Sequence, residues 1–325
     1  MAQALLRASN PRQDMQPGKE TLPFLASVLM VSAMAILGVI DNVVILLAET
    51  IGLWQFHLSR AVLMLPLIIG LSLLGLGSLR PKRLRFVLLR SVLIATGMLF
   101  YFASLALMPI AQALAGLFTS PMFVLLISAL GLKQVIGPWR IGAVLLGFVG
   151  ILCVLQPNPN EFDVRTFLPV VGGFFYALSV IVTRTYCSDE STVALLANNM
   201  LVLGVAGAIG LVVFTAFPAS GPDGPEGFVT RGLVLDMRAA LPWVAVQAVG
   251  STVAVFMMIK AYQVGEPSFV AVFEYSIMIF GPLFAWVALG QTIGVMQIFG
   301  IGLIATAGAV LGWRAGRAAP EQEVA

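Results

Sequence analysis

The sequence predicts an all-α integral membrane protein with ten transmembrane helices, arranged as two inverted five-helix repeats. Three observations lead to this fold class. Of the 325 residues, 59% are hydrophobic and only 10% are charged, whereas a soluble domain has about 25% charged residues. The chain contains ten apolar runs near the ~20 residues that a helix needs to cross a hydrocarbon core. The two halves also resemble each other at a constant offset.

The ten spans follow from the length of the apolar runs. They cover roughly 22–41, 58–78, 86–106, 109–131, 139–156, 167–184, 193–216, 241–263, 267–289 and 293–313. A transmembrane β-barrel is excluded, because these runs are continuous rather than alternating. An alternative with nine spans, in which residues 86–131 form one segment, would spoil the charge asymmetry of the loops.

Lys and Arg residues lie mainly on one side of the predicted membrane. With the N-terminus inside, thirteen fall in cytoplasmic segments and three on the opposite side, as the positive-inside rule requires. The thirteen are Arg7, Arg12, Lys19, Arg80, Lys82, Arg83, Arg85, Arg90, Lys133, Arg140, Arg184, Arg314 and Arg317, and the three are Arg165, Arg231 and Arg238. We therefore expect a multi-pass protein of the cell (cytoplasmic or inner) membrane with both termini in the cytoplasm.

An internal repeat divides the chain at an offset of 158 residues. Matching pairs include Ala103 and Ala261, Pro109 and Pro267, Gly142 and Gly300, and Gly150 and Gly308. The predicted organisation is a cytoplasmic tail 1–21, a first repeat 22–157, a second repeat 167–313 and a cytoplasmic tail 314–325. Five spans in each repeat give the repeats opposite orientations, which is the plan of many secondary transporters. The Pro- and Gly-rich loop 217–240 is interpreted as a flexible connector, with a gating lid as the alternative.

Composition excludes several classes of site. The chain has one histidine, His57, and two cysteines, Cys153 and Cys187, which leaves no zinc site of the His/Cys type and no disulfide framework. No phosphate-binding Walker loop or G-x-S-x-G motif is present. We expect no cofactor, no metal, no catalytic residues and no nucleic-acid partner, since the basic residues lie in short loops.

Two segments carry a resemblance to a known family. Residues 98–157, beginning MLFYFASLALMPIAQALAGLF, and residues 260–291, KAYQVGEPSFVAVFEYSIMIFGPLFAWVALGQ, are similar to corresponding parts of the two repeats of EamA-type permeases in the drug/metabolite transporter superfamily. Asp41 at the end of the first span, and Phe56 with Arg60 opening the second, also resemble the pattern. The resemblance extends from about residue 22 to 313.

The family resemblance implies ten helices, two inverted repeats and a central cavity for amino acids, vitamins, nucleoside-type metabolites or drugs. One feature departs from the pattern. Many relatives have a Gly-Glu pair at the ends of the fourth and ninth helices, where this chain has Lys133-Gln134 and Gly290-Gln291. Any role of those glutamates is therefore not carried over.

Glu274 is the leading candidate for substrate binding or coupling. An ionisable residue at the centre of a span costs about 2.5–3.5 kcal/mol on insertion scales, so its presence calls for a reason. It precedes Tyr275, another candidate, and shares a helical face with Met278 and Pro282 by i, i+4, i+8 spacing. A kink is expected at Gly281–Pro282. A purely structural hydrogen bond or ion pair is the alternative.

The other candidates are distributed over several spans. Lys260 is interpreted as reaching the headgroups, or else pairing with Glu274, Asp41 or a substrate carboxylate. Asp41 and Arg60 form a gate-like pair or an interfacial salt bridge. The remaining candidates are Gln112 and Thr119, which share a face of the fourth span with Gly116, and the aromatic Tyr101 and Tyr176.

Two further expectations concern single residues. The repeat offset places Gly116 at the position equivalent to Glu274, which suggests a glycine opposite the carboxylate with room for a solute. His57 is placed in a loop or at its edge, where solvent contact accounts for it, with a pH sensor as the less favoured alternative.

These observations predict a secondary transporter of a small organic metabolite that works by alternating access, with proton coupling through Glu274 or exchange as its energy source. A non-transporting scaffold and a membrane-embedded enzyme are the alternatives. The expected partners are a small-molecule substrate and the lipid bilayer. The spacing Gly308-xxx-Gly312 leaves a homodimer open.

Overall fold

The structure is a computed structural model that describes residues 22–41, 47, 49–105, 110–156, 164–218, 225–289 and 294–318. All regular elements in these ranges are helical. The long helices are α1 (Pro23–Ile40), α2 (Leu53–Leu73), α3 (Leu84–Leu105), α5 (Pro138–Leu155), α6 (Phe167–Tyr186), α7 (Thr192–Ala216), α8 (Leu241–Val264) and α10 (Val295–Ala318). Two further spans are interrupted. They comprise α4a (Ile110–Leu117) with α4b (Ser120–Leu126), which continues as a π-helical turn Ile127–Gly131, and α9a (Pro267–Glu274) with α9b (Ile277–Leu289).

The all-α prediction and the number of spans are confirmed. In the described part of the chain, nine helical segments are long and apolar enough to cross a membrane, and Val295–Leu311 is a shorter apolar tenth. Large apolar side chains such as Phe24, Val62 and Val212 are exposed on the outside of the bundle. The protein is therefore a multi-pass membrane protein whose outer surface is matched to lipid.

Local sequence explains where several helices begin. Proline stands in the first turn of α1, α5, α8 and α9a, where its missing N–H would have no intrahelical partner. Ser191 caps α7 by accepting the backbone N–H of Ala194 at 3.4 Å. Pro267 therefore has the predicted position, whereas its repeat partner Pro109 lies outside the described residues.

The second span differs from its prediction. Helix α2 begins at Leu53 rather than at residue 58, so Phe56 and Arg60 lie inside the helix rather than opening it. His57 is 1% exposed and packs edge-on against Phe102 with ring centroids 5.0 Å apart. Its expected contact with solvent is therefore wrong, because α3 and α7 pack against it: a Cβ on Gly207 of α7 would lie 3.3 Å from His57 Cβ.

Helices from the two halves pack against each other in a symmetric pattern. Helix α3 packs along α6, and its counterpart five helices later, α8, packs along α1. Helix α2 packs along α7, and α5 along α10. A pseudo-twofold relation between the halves produces this pattern. The boundaries assigned to the two repeats stay a prediction.

Polar contacts join the loops at each end of the bundle. At one end, here called the basic face, the Glu190 carboxylate accepts the backbone N–H groups of Lys82 and Arg83, both at 2.7 Å. Arg140 pairs there with Glu266, which precedes α9a. These contacts bring together the ends of α6 and α8 and the beginnings of α3, α5, α7 and α9a.

The opposite end is covered by the segment between α7 and α8. The amide of Gln55 donates to the carbonyl of Val234 at 2.7 Å and accepts its N–H at 2.9 Å. Trp54 Nε1 donates to the Val229 carbonyl at 2.7 Å, and Phe228 is buried. Residues 228–234 are therefore docked on α2, which disagrees with a flexible connector in this part of the loop.

Close helix approaches depend on glycine. A Cβ atom built on Gly150 of α5 would lie 2.8 Å from the carbonyl oxygen of Gly300 in α10, and one on Gly300 would lie 2.5 Å from that of Gly150. Gly97 of α3 and Gly172 of α6 show the same reciprocal approach at 2.8 and 2.9 Å. Small residues thus let the paired helices of the two halves pack backbone against backbone.

We expect Gly150→Val to lower the free energy of unfolding by about 1–3 kcal/mol, the usual cost of overpacking. Gly142→Val is the matched control on the same helix, because nothing lies within 4 Å of the Cβ atom added there. Thermal unfolding of both purified variants in detergent measures the difference. Equal melting temperatures would contradict the close contact of α5 with α10.

Candidate functional site

The two interrupted spans are broken at corresponding places. Helix α4a ends at Leu117 and α4b begins at Ser120, while α9a ends at Glu274 and α9b begins at Ile277. The two interruptions are 157 residues apart, since 274 − 117 = 157, within one residue of the repeat offset. Helices that break inside the membrane are typical of transporter binding sites near the midplane.

A hydroxyl residue stabilises each interruption in the same way. Thr119 donates through Oγ1 to the carbonyl of Gly116 at 2.6 Å, and Ser276 donates through Oγ to the carbonyl of Phe273 at 2.7 Å. The backbone N–H groups of the same two residues bond to these carbonyls at 3.2 and 3.1 Å. These i to i−3 bonds replace the regular helical pattern and keep the backbone polar groups satisfied.

The ninth span is not interrupted at Gly281–Pro282, and the kink expected there stays a prediction. The helix is interrupted at Tyr275–Ser276, and Pro282 lies inside α9b. The shared face of Glu274, Met278 and Pro282 therefore does not form, because it requires one continuous helix. Gly38 allows α1 to approach α9b closely, since a Cβ on Gly38 would lie 2.9 Å from the nitrogen of Gly281.

Glu274 lies at the centre of a buried polar cluster. Its Oε1 atom accepts the hydroxyl of Tyr176 from α6 and the hydroxyl of Tyr262 from α8, each at 2.5 Å. The residue is 3% exposed and ends α9a, whose residues are all buried. Tyr176 Oη also lies 3.4 Å from the sulfur of Met258. A carboxyl group withdrawn from water thus receives two hydrogen-bond donors at the break of the ninth span.

Sequence reasoning identified Glu274 and Tyr176 but missed Tyr262. Tyr262 is only two residues from the end of α8, and it was not among the candidates that the sequence suggested. One available signal was its rarity, because the chain has only five tyrosines. Met278 and Pro282 were expected near Glu274 from helical spacing and Lys260 from charge, whereas its actual partners come from α6 and α8.

A narrow cleft adjoins this cluster between α3, α6 and α8. Its empty space is about 220 Å³ when the part open to the surroundings is included, and it is lined by Arg90, Ile94, Tyr176, Ser179, Val180, Thr183, Met258, Ile259 and Tyr262. Ligand pockets usually measure about 300–1,000 Å³. The cleft is therefore smaller than a typical metabolite site.

The sequence interpretation also misplaced Arg90. We expected it among the cytoplasmic basic residues, but it lies inside α3 and is 3% exposed. Its Nε donates to Thr183 Oγ1 at 3.1 Å, and its Nη1 donates to the Leu195 carbonyl at 3.4 Å. Residue 90 falls inside the predicted third span, so the rarity of intramembrane charges could have identified it.

Tyr275 and Gly116 have contacts other than those expected. Tyr275 is fully buried, and its ring fills the space beside Gly147 of α5, where a Cβ would lie 2.3 Å away. Gly116 faces Pro169 of α6, which lies 2.6 Å from the position of a Cβ. The idea that Gly116 leaves room for a solute opposite Glu274 is therefore wrong, because that space is occupied by a neighbouring helix.

Asp41, Arg60 and Tyr101 are grouped near the opposite end of the bundle. Asp41 interacts electrostatically with Arg60 and Tyr101 and accepts the Gln247 amide at 3.4 Å. Arg60 lies over the ring of Phe56, 5.5 Å from its centroid. Both residues lie in the described part of the chain, and no nitrogen of Arg60 lies within 4.0 Å of a carboxylate oxygen of Asp41. They are therefore near each other without forming a salt bridge.

Three more predicted site residues lie apart from the cluster. Lys260 is exposed on α8, and no ion pair joins it to Glu274 or Asp41 in the described structure. The hydroxyl of Thr119 is engaged in the interruption of the fourth span. The side chain of Gln112 lies outside the described residues.

Burial changes the pKa of the Cys187 thiol, which directly follows α6. Cys187 is fully buried, and removal from water raises the pKa of its thiol to about 11. A thiol with a raised pKa is a poor nucleophile and metal ligand at neutral pH. The residue therefore behaves as part of the packed basic face, where its carbonyl accepts the Gln263 amide at 2.9 Å.

Comparison with known proteins places this arrangement among membrane transporters. Residues 166–313 match the EamA-like transporter family. The chain is similar to a riboflavin transporter of Vibrio cholerae, with 28% identity over 247 residues and 75% of each chain covered. It is also similar to a riboflavin transporter of Rhizobium johnstonii, with 35% identity over 120 residues that cover 37% of this chain and 40% of the relative.

Two other similarities are informative. An S-adenosylmethionine uptake transporter of Rickettsia bellii is 25% identical over 155 residues, which cover 48% of this chain and 52% of that protein. A crystal structure superimposes with a TM-score of 0.71 at 15% sequence identity and covers 92% of this chain and 100% of the other. This second similarity is one of fold alone.

We expect Tyr176→Phe and Tyr262→Phe each to reduce the free energy of unfolding by about 1–3 kcal/mol, the range for a lost hydrogen bond to a buried carboxyl group. Tyr186→Phe is the control, since Tyr186 is exposed and stacks on Phe86. In a Glu274→Gln background the effect of either change should shrink. Thermal unfolding of the single and double variants measures this coupling, and purely additive changes would contradict the cluster.

Proposed function

We propose that this chain is an EamA-type permease of the drug/metabolite transporter superfamily, and that it carries a small organic metabolite across the cytoplasmic membrane by alternating access, in the inward direction. The observation that carries this proposal is the buried Glu274 carboxyl group, bonded to Tyr176 and Tyr262 where the ninth span is interrupted. This geometry puts a polar group with aromatic neighbours inside an otherwise apolar bundle. Such a group can exchange its internal partners for those of a solute.

Two features support alternating access. Polar contacts join the loops at both ends of the bundle, and the cleft beside Glu274 is smaller than a typical ligand pocket. A solute therefore requires the cleft to widen. The cleft lies between the packed pair α3–α6 and helix α8, which packs along α1. A movement of the α8–α1 pair against the α3–α6 pair therefore changes its width.

The proposed orientation places the basic face in the cytoplasm. Lys82, Arg83, Arg85 and Arg140 lie there, and short loops with an excess of Lys and Arg remain inside. Both termini are then cytoplasmic. The Glu274 cluster lies closer to this face, since α9a reaches Glu274 after eight residues.

The solutes named for the relatives support a choice of substrate class. Three relatives bear the name riboflavin transporter and three the name S-adenosylmethionine uptake transporter. Both named solutes contain a planar heteroaromatic ring. Tyr176, Tyr262 and Met258 offer an aromatic and thioether surface suited to such a ring. We propose a ring-bearing metabolite as the substrate class.

A transporter accounts for the site better than the other two functions considered. An enzyme needs a nucleophile or an acid and base that converge on a space where a substrate reacts, whereas Glu274 is bonded to two tyrosines. A scaffold needs neither an interrupted ninth span nor a buried carboxyl group at the break. A homodimer is not required by this proposal.

We expect Glu274→Gln to lower transport at least tenfold. Bacteria that express the wild type, Glu274→Gln or Glu49→Gln, at matched levels in the membrane, would be compared with an empty vector by metabolite profiling of cells and medium. Glu49 is exposed, so its variant is the control. One or more ring-bearing solutes should accumulate in cells with the wild type and the control only.

The possible outcomes of this experiment test the role of Glu274 and the transport function separately. Equal accumulation with the wild type and Glu274→Gln would contradict the role of Glu274 while leaving transport in place. No difference between the wild type and the empty vector would contradict transport of the sampled solutes and favour a scaffold.

Proton coupling makes a separate prediction. If the Glu274 carboxyl group carries the coupled proton, collapse of the pH gradient should reduce wild-type accumulation of the profiled solute severalfold. Glu274→Gln, which cannot ionise, should retain slow exchange that does not respond to the gradient. Membrane vesicles with an imposed pH gradient provide the measurement. A gradient effect of equal size in both proteins would contradict coupling through Glu274.

A further inference from the structure

Arg90 is a buried guanidinium group whose hydrogen-bond partners are all neutral. It lies in the second turn of α3, is 3% exposed, and bonds to the Thr183 hydroxyl and the Leu195 carbonyl. These contacts tie α3 to α6 and α7. They use two of the five N–H donors that a guanidinium group carries, so three donors remain.

No carboxylate balances this charge within the residues that the structure describes. The buried acids there are Glu190 and Glu274. Glu190 accepts the backbone N–H groups of Lys82 and Arg83, and Glu274 accepts the two tyrosine hydroxyls. A buried cation is normally paired, because removing it from water without an opposite charge is strongly unfavourable.

The unpaired charge lines the cleft beside the Glu274 cluster. Other walls of the cleft are hydroxyl groups and apolar side chains, including Val180, Met258 and Ile259. The hydroxyls of Ser179 and Thr183 donate to backbone carbonyls at 2.7 Å. Arg90 is therefore the wall residue with spare donors, whereas the apolar side chains can contact the body of a ligand.

We propose that this cleft binds the anionic group of the transported solute, a carboxylate or a phosphate, through the guanidinium group of Arg90. A planar guanidinium pairs with either group through two parallel hydrogen bonds. The anion supplies the missing charge, and the rest of the solute extends towards Tyr176 and Tyr262. The inference rests on the proposed transport function and narrows its substrate class to organic anions and zwitterions.

This assignment distinguishes among the solutes named for the relatives. S-adenosylmethionine carries a carboxylate, whereas riboflavin is uncharged at neutral pH. The position of Arg90 therefore favours a carboxylate- or phosphate-bearing solute over a neutral one. Arg90 comes from the first half of the chain and most other walls from the second, so an anion bound here contacts both halves.

The test is ligand-dependent thermal stability of the purified full-length protein, measured in detergent. Benzoate is the probe, and benzamide is its uncharged analogue of nearly the same shape. We expect benzoate to raise the melting temperature of the wild type in a saturable manner and benzamide to have no such effect. Inorganic phosphate, as a second probe, should compete with benzoate.

Variants locate the site. Arg90→Gln should weaken benzoate binding at least tenfold, and Arg90→Lys should retain the preference for benzoate over benzamide with lower affinity. Arg85→Gln is the matched control, since Arg85 is on the same helix, is exposed and stacks on Phe86. Each variant is compared with its own melting temperature without ligand, so loss of the structural bonds of Arg90 does not imitate loss of binding. If Arg90→Gln does not fold, Arg90→Lys and the comparison of benzoate with benzamide in the wild type decide the matter.

Three results would overturn the proposal. They are no benzoate effect in the wild type, an equal effect of benzamide, and an unchanged benzoate affinity in the Arg90 variants. A lipid phosphate is tested in nanodiscs. If phosphatidylglycerol but not benzoate gives an Arg90-dependent shift relative to phosphatidylcholine, the cleft binds a headgroup and the assignment to a solute fails.

Failure of this inference is distinguishable from failure of the proposed function. Binding to purified protein requires no transport, so it can succeed when Glu274→Gln leaves transport unchanged. Conversely, Glu274-dependent accumulation together with no benzoate binding would overturn the anion cleft alone.

Discussion

The constraint on which this structure depends is that polar groups inside the bundle have no water and must find partners in the protein. Glu274 meets it most fully, because its carboxyl group takes hydroxyl donors from Tyr176 and Tyr262. These two bonds connect α9a to α6 and α8. The interruptions of the fourth and ninth spans obey the same constraint through the hydroxyls of Thr119 and Ser276. The buried polar groups and the contacts between the helices that carry them therefore depend on each other.

The arrangement of the helices is symmetric between the two halves, whereas the buried polar side chains differ between them. The helix pairs and the two interruptions repeat between the halves, and the same kind of hydroxyl bond stabilises each break. Yet the equivalent of Glu274 is Gly116, which packs against Pro169, and the buried cation Arg90 occurs in the first half alone. The repeat provides a framework that can move about a pseudo-twofold axis. Differences between the halves at individual positions give each half its own buried polar groups.

Close contacts join helices of the two halves in pairs, and they favour movement of each packed pair as a rigid body. Glycine pairs such as Gly97 with Gly172 and Gly150 with Gly300 bring helices of opposite halves into backbone contact. Polar contacts at both ends, including those of Gln55 and Glu190, are fewer and more local. A change of access therefore breaks a small set of end contacts while the packed helix pairs persist. The cleft lined by Arg90 and Tyr176 lies where the halves meet, so it responds directly to such a change.

The sequence by itself determined the fold class, the ten spans and the presence of Glu274 inside the ninth, because length, hydropathy and the rarity of intramembrane charge are local properties. Only the tertiary structure decided which groups meet. Tyr262 joins Glu274, Arg90 enters the core, and His57 packs against Phe102. Gly116 was misread for the same reason, since its interpretation assumed a helix face that borders an open cavity, whereas Pro169 fills that space. The depth and rotation of a helix are set by its neighbours, and hydropathy contains no record of which neighbour lies against which face.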